Sequence, residues 1–185
     1  LSDFYPRRPG WTLTSTQIWS HDAPVAAAGV LWWLDAQAET NTAPSPVISD
    51  THALVQAYGA WDDHDPRNVQ PLANELAAAV GTDQDSAGTD LDALVAGLKR
   101  YMASQGLGGQ YDVTMRRSPS YDWVQGEVRQ QHAVLALLGF WEQQASGWQR
   151  LGGHYVGVAG IAEGSGEWIA FSDPFRDSAE AGWPG

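Results

Sequence analysis

Cysteine is absent from this chain of 185 residues. The protein therefore has no disulfide, no zinc–thiolate centre, no iron–sulfur cluster and no thiol nucleophile. The sequence also lacks an apolar run of the roughly 18–20 residues that a membrane-spanning helix needs. Basic residues are scarce, since ten Lys and Arg stand against 22 Asp and Glu, giving a net charge of −12. We expect no membrane span and no nucleic-acid partner, because nucleic-acid binding needs a basic surface.

The chain is instead rich in tryptophan, with ten Trp residues and 43% hydrophobic residues overall. Its length suits one domain large enough to bury a real core. Three roles remain open for the Trp side chains: core packing, protein contact surfaces and stacking on sugar faces. The first residue is Leu1, which favours a processed N-terminus, and together with the acidity this favours a secreted or extracellular protein.

Hydrophobic periodicity predicts helices first and strands later, the order of an α+β protein. Residues 1–20 are expected to form an extended N-terminal arm, followed by a single domain over residues 21–185. The first helix opens at Pro24 and is apolar nearly all round, so we expect it to be buried. Asn68 is a predicted helix cap, and either Thr89 or Asp90 is expected to cap the helix that follows. The predicted helices cover 25–34, 52–58, 69–80, 91–105 and 121–131. The predicted strands cover 111–115, 133–140 (a buried strand), 155–161 and 168–172, with the last two forming a hairpin.

Three separated positions follow the order of a nucleophile, a base and an acid that orients the base. Asp22 stands at the start of the first helix, five residues after Gln17. His154 opens a strand after two glycines, and Asp173 ends the next strand before Pro174. A helix N-terminus lowers the pKa of a nucleophile, and a Gln side chain donates to an oxyanion. We predict that Gln17, Asp22, His154 and Asp173 share one site.

These segments resemble the papain-like cysteine peptidases, in particular the bacteriocin-processing peptidases and related bacterial domains. The resemblance spans about residues 15–177 and rests on three motifs: Gln17…Asp22-Ala23-Pro24, Gly153-His154-Tyr155-Val156 and Ser172-Asp173-Pro174. It implies an α+β papain-like fold, in which a buried N-terminal helix and a helical half pack on a C-terminal antiparallel sheet. Papain-like sheets have further strands after this point, so we expect an incomplete C-terminal part whose missing strand a partner could supply.

The family has its nucleophilic cysteine at the position that Asp22 holds here. A carboxylate is a poor nucleophile for peptide cleavage, and Ser20 lies two residues away. The resemblance therefore implies a pseudoenzyme with a remnant site. We expect Asp22 to pair with His154, raising the pKa of the imidazole, and to cap helix N–H groups. The alternatives are an ordinary buried histidine at 154 and a simple turn at Asp173-Pro174.

Two acidic loops raise the question of metal binding. Residues 62–65 contain three Asp and His64, and residues 83–92 faintly resemble a calcium loop. The second loop has Ala87 and Leu94 where a ligand and the closing Glu belong. We interpret both loops as solvated, with calcium an open alternative. A zinc alternative has the ligands His21, Asp22 and His154. We assign no metal and no cofactor.

Because the nucleophile is absent, we expect the protein to act through its surface or as a scaffold. We favour a structural protein that assembles with copies of itself into a filament, tube or other homo-oligomer. Aromatic patches, exposed strand edges and the N-terminal arm are the expected contacts. The first alternative is a pseudoenzyme module that holds a peptide or glycan in the former cleft, and the second is a residual hydrolase.

Overall fold

The computed structural model describes residues 21–39, 52–82, 88–162, 164 and 166–173. The expected arm over 1–20, with Gln17 and Ser20, lies outside these residues, as do Pro174 and positions 83–87 of the second acidic loop. Within the described residues, four α-helices precede a three-stranded antiparallel sheet, which confirms the α+β class. The elements are α1 (Asp22–Ala38), a 3-10 helix (Pro66–Asn68), α2 (Val69–Val80), α3 (Leu91–Ser104), α4 (Tyr121–Arg129), β1 (Leu135–Gln144), β2 (Gly147–Ala162) and β3 (Trp168–Ser172).

Helix α1 is the buried central helix that its composition predicts. Small side chains from Ala23 to Ala28 are buried along it, and they let α2 pack on one side and β2 on the other. Leu31 joins Leu72 and Leu76 in the core, which extends to the inner face of α3. A β-carbon at Gly97 would lie 2.6 Å from the Cα atom of Val80, so α3 approaches α2 at a point that only glycine allows.

Side-chain caps account for where two helices begin. The carboxylate of Asp90 accepts hydrogen bonds from the N–H groups of Asp92 and Ala93, which confirms the predicted cap of α3. The hydroxyl of Ser120 accepts a hydrogen bond from the N–H of Trp123 at the start of α4. These caps satisfy N–H groups that have no partner within their own helix.

Asn68 precedes α2, but its side chain does not form the predicted cap. The amide oxygen instead accepts hydrogen bonds from the backbone N–H of Tyr58 and the indole N–H of Trp61. The amide nitrogen donates to the carbonyls of Asp62 (2.8 Å) and Asp63 (2.6 Å). This fully buried amide therefore organises the first acidic loop rather than the helix end.

Two predicted elements are wrong. Residues 52–58 form turns rather than a helix, because the N–H groups of Leu54 and Val55 are bound by the side chain of Asp35. Residues 111–115 form no strand. Tyr111 and Val113 pack against the core without a strand neighbour, so their alternation reflects one-sided burial rather than sheet pairing.

The sheet has the order β1-β2-β3, and the predicted hairpin of β2 and β3 is confirmed. Strand β1 pairs with β2 from Leu135 opposite Gly157 to Gln144 opposite Gly147, with a bulge after Phe140. The run 133–140 does contain a strand, but its predicted burial is wrong. The outer half of this second hairpin extends past the helices, so its side chains are exposed.

We predict that Asn68→Ala lowers the free energy of unfolding by about 2–4 kcal/mol, because four hydrogen bonds of a buried amide are lost together. Urea unfolding followed by circular dichroism measures this. Asn74→Ala on α2 is the matched control, since its amide has one long bond of 3.4 Å to Gln70. Equal, small effects of the two substitutions would contradict the structural role of Asn68.

Candidate active-site remnant

Three of the four predicted site residues come together at the junction of α1 with the sheet. Asp22 is the first residue of α1, His154 lies on β2, and Asp173 directly follows β3. The Nε2 atom of His154 lies 2.6 Å from Oδ1 of Asp173. Its Nδ1 atom lies 3.3 Å from Oδ2 of Asp22. Antiparallel pairing of β2 with β3 brings the histidine and the second acid side by side although they are 19 residues apart.

The Asp22 carboxylate is held across the helix–sheet interface. Its Oδ2 atom accepts a hydrogen bond of 2.8 Å from the backbone N–H of Tyr155. The predicted capping role of Asp22 is wrong, because the cap position is His21 and no side chain caps the helix there. A carboxylate in the first turn still interacts favourably with the helix dipole. Asp22 therefore connects α1 to β2.

Both ring nitrogens of His154 face carboxylates, so the protonated imidazole is favoured. The hydrogen bond with Asp22 is the largest influence, and with the contribution of Asp173 it raises the pKa of His154 to about 8 against the opposing effect of partial burial. The expected ion pair with Asp22 is present. The reading of His154 as an ordinary buried histidine does not fit a ring with two acidic partners.

This arrangement connects the start of α1 to the ends of two strands through charged side chains. A general base needs a ring nitrogen that is free to receive a proton. Here one nitrogen faces Asp22 and the other faces Asp173. The Asp22 oxygen nearest the ring is also bound to a backbone N–H. Both ring nitrogens of His154 and Oδ2 of Asp22 are therefore engaged in contacts within the protein.

A second cluster of ionisable side chains lies at the other end of α1. Asp35, Glu39, Asp63 and His64 place one ligand atom each within 4.8 Å of one another, the only group of this kind among the described residues. Burial raises the pKa of Asp35 to about 7. Of the first acidic loop, only Asp63 and His64 belong to this group. The zinc alternative of His21, Asp22 and His154 forms no such group.

Sequence reasoning missed this second cluster because its members come from two elements. Asp35 lies in the last turn of α1, and Glu39, four residues later, caps the end of this helix. Asp63 and His64 lie in a loop more than twenty residues further along. The spacing of the two acids was the available signal, but nothing in the sequence alone connected it to the loop.

No protein-family model, curated protein or solved structure matches this chain. The resemblance to papain-like peptidases therefore depends on the order of the motifs and on the geometry of Asp22, His154 and Asp173.

Among the described residues, no helix is both long enough and apolar enough to cross a membrane.

We predict that His154 makes the stability of the protein depend on pH. Folding raises the pKa of His154 from 6.5 to about 8, so its contribution is complete below pH 6.5 and is lost as the pH rises through 8. The contribution amounts to at most about 2 kcal/mol. Urea unfolding should show that the wild type is less stable at pH 9 than at pH 6. In His154→Gln this loss of stability should be smaller, because the contribution of the histidine is absent. His132→Gln, which changes an exposed histidine paired with Glu127, should retain it. An identical pH dependence in wild type and His154→Gln would contradict the prediction.

Proposed function

We propose that the chain is a catalytically inactive papain-like domain that serves as an extracellular structural subunit and assembles with copies of itself. The observation that carries the proposal is the exposed aromatic end of the hairpin formed by β1 and β2. We call this surface the hairpin end, and it consists of Phe140, Trp141, Trp148 and Leu151. Their exposed fractions are 50%, 55%, 65% and 62%.

The register of the strands groups the two tryptophans of the hairpin end. Gln143 lies opposite Trp148, and Trp141 is two residues from Gln143, so both indoles lie on one face of the sheet. Phe140 lies on the opposite face because neighbouring strand residues alternate. The hairpin end therefore presents large apolar side chains on both of its faces, beyond the reach of the helices.

Large exposed aromatic side chains are typical of contact surfaces, where their burial supplies much of the binding energy. Within the described residues, β1 and β3 are also edge strands of the sheet. An edge strand carries backbone groups that can pair with another chain. These two features support a second copy of the protein as the partner, with rings and strand edges as the contacts.

The net charge of −12 determines how such an assembly should respond to salt. Copies with the same charge repel one another, and this repulsion is screened over about 10 Å at 0.1 M salt. Apolar contacts are not weakened by screening. Assembly through the hairpin end should therefore strengthen as the salt concentration rises, which is opposite to the behaviour of an assembly held by ion pairs.

The inactive-site part of the proposal is supported by Asp22. This carboxylate occupies the place that the papain-like resemblance gives to the nucleophile, and its contacts with Tyr155 and His154 commit it to structure. No observation favours the residual hydrolase. The exposed indoles do favour the second candidate, a module that stacks a glycan on its aromatic rings.

We predict that the protein forms oligomers that grow on raising the salt from about 0.05 M to about 0.5 M, because screening removes the repulsion between copies. Light scattering after size-exclusion chromatography measures the mass, and negative-stain electron microscopy gives the shape. The double substitution Trp141→Ser/Trp148→Ser should yield monomers at both salt concentrations.

Trp168→Ser is the matched control, because Trp168 is as exposed as Trp148 but lies at the start of β3, outside the hairpin end. It should leave the oligomer unchanged. A wild-type monomer at every concentration and salt would refute self-assembly. Saturable quenching of its Trp fluorescence by one glycan of a panel would then support the module instead.

We predict that Asp22→Cys produces a thiol with a pKa well below the ordinary value of about 8.5, because His154 and the helix N-terminus both favour the thiolate. The chain has no other cysteine, so the pH dependence of alkylation by iodoacetamide reports this thiol alone. The control is Asp22→Cys combined with His154→Gln, which should titrate at a higher pH because only the helix N-terminus then favours the thiolate. Equal titration of the two variants would contradict the papain-like site.

A further inference from the structure

The cluster at the C-terminal end of α1 is separate from the remnant site and includes two residues of the first acidic loop. We call it the acid–histidine cluster, made of Asp35, Glu39, Asp63 and His64. Asp35 projects from the last turn of α1, and Glu39 is the residue that directly follows this helix. Asp63 and His64 come from the loop that the buried amide of Asn68 holds in place. Three carboxylates thus surround one imidazole.

We propose that the acid–histidine cluster binds one divalent transition-metal ion, such as zinc, through a ring nitrogen of His64 and the carboxylates of Glu39, Asp63 and Asp35. Imidazole nitrogen together with carboxylate oxygen is a donor set that suits ions of this class. The site is independent of the self-assembly proposed above, since no residue of the hairpin end takes part in it.

The separations at Nδ1 of His64 fit ligands of a common ion better than hydrogen-bonded partners. The Nδ1 atom of His64 lies 3.4 Å from Oε2 of Glu39 and 3.4 Å from Oδ2 of Asp63. Oδ2 of Asp35 lies 3.6 Å from the other ring nitrogen, Nε2, and the ligand atom of Asp35 is within 4.8 Å of those of the other three residues. Hydrogen bonds from nitrogen to oxygen are shorter, about 2.7–3.2 Å. Two ligands at about 2.0–2.1 Å from a tetrahedral zinc ion lie roughly 3.3–3.5 Å apart.

Asp35 supplies an independent indication of a missing ligand. The side chain is completely buried, and its Oδ1 atom accepts hydrogen bonds from the N–H groups of Leu54 (2.9 Å) and Val55 (3.0 Å). Its Oδ2 atom points towards His64 and has no hydrogen-bond partner, and Nε2 of His64 has none either. A buried acceptor without a partner is costly, and a cation at this point would satisfy it.

Neighbouring groups already hold the ligands in place, as in established metal sites. The backbone N–H of His64 donates to Oδ1 of Asp63, so Oδ2 of Asp63 is left facing the imidazole. The ring of Trp32 meets the His64 ring edge to face, with the centroids 5.1 Å apart. The two N–H bonds to Asp35 fix the buried carboxylate in the same way. The four candidate ligands are therefore close together before an ion binds.

The test is calorimetric titration of zinc chloride into the full chain after removal of metal with a chelator. We expect one zinc ion per chain and a higher melting temperature with zinc, because an ion that binds only the folded state stabilises it. His64→Gln and Glu39→Gln should each weaken binding at least about tenfold, since loss of a ligand affects affinity no less than loss of a supporting group does. Asp35→Asn keeps an acceptor for Leu54 and Val55 and should also weaken binding.

The matched controls are His132→Gln and Asp65→Asn, which change an exposed histidine on another element and an acid of the same loop that pairs with Arg67. Both should bind zinc like the wild type. Circular dichroism without zinc establishes that each variant is folded. Absence of saturable binding, full binding by both His64→Gln and Glu39→Gln, or loss of binding in His154→Gln would each overturn the proposal.

Discussion

The contact of Asp22 with β2 is the interaction on which the arrangement of this protein depends. Helices α2 and α3 pack on one another, and they reach the sheet chiefly through α1. The start of α1 is bound to the sheet by the carboxylate of Asp22, which holds both the backbone of Tyr155 and the ring of His154. Because the alanine-rich side of α1 allows close packing on both flanks, this single helix joins the helical half to the strands.

The same contact determines which protonation state of His154 is favoured. A neutral nucleophile at a helix start would leave one ring nitrogen of His154 free to take its proton. A carboxylate instead stabilises the charged ring, and Asp173 engages the second nitrogen. The protonated form of His154 is thereby favoured. The favourable electrostatics contribute to the stability of the folded protein.

Local patterns in the sequence predict those parts of the fold that depend on local forces. Helix α2 has its predicted bounds because Leu72, Leu76 and Val80 repeat at helical spacing, and α3 begins where Asp90 caps it. The hairpin of β2 and β3 follows from two β-rich runs around a polar turn. The meeting of Asp22, His154 and Asp173 could be predicted from motif order, because helix starts and strand ends determine where these side chains lie.

Local sequence patterns do not predict contacts between a side chain and a distant part of the backbone. The segment 52–58 is not helical because Asp35, about twenty residues earlier, binds its N–H groups. Asn68 stands at a helix-cap position, but its side chain donates to carbonyls of the loop before the helix. The acid–histidine cluster joins a helix end to that loop, and no periodicity connects the two. The exposure of β1 could not be predicted either, because an apolar run has the same sequence pattern whether or not another element covers it.

Strand β2 passes through two different environments along its length. Around Tyr155 and Val156 it is buried against α1 and carries the remnant site, whereas from Gly147 to Leu151 it contacts little besides β1. Amide protons in the outer half can exchange with solvent through local opening that leaves the core closed, because opening energies follow local packing. The hairpin end is thus a region that a bound neighbour can order or reshape without disturbing the helix–sheet junction.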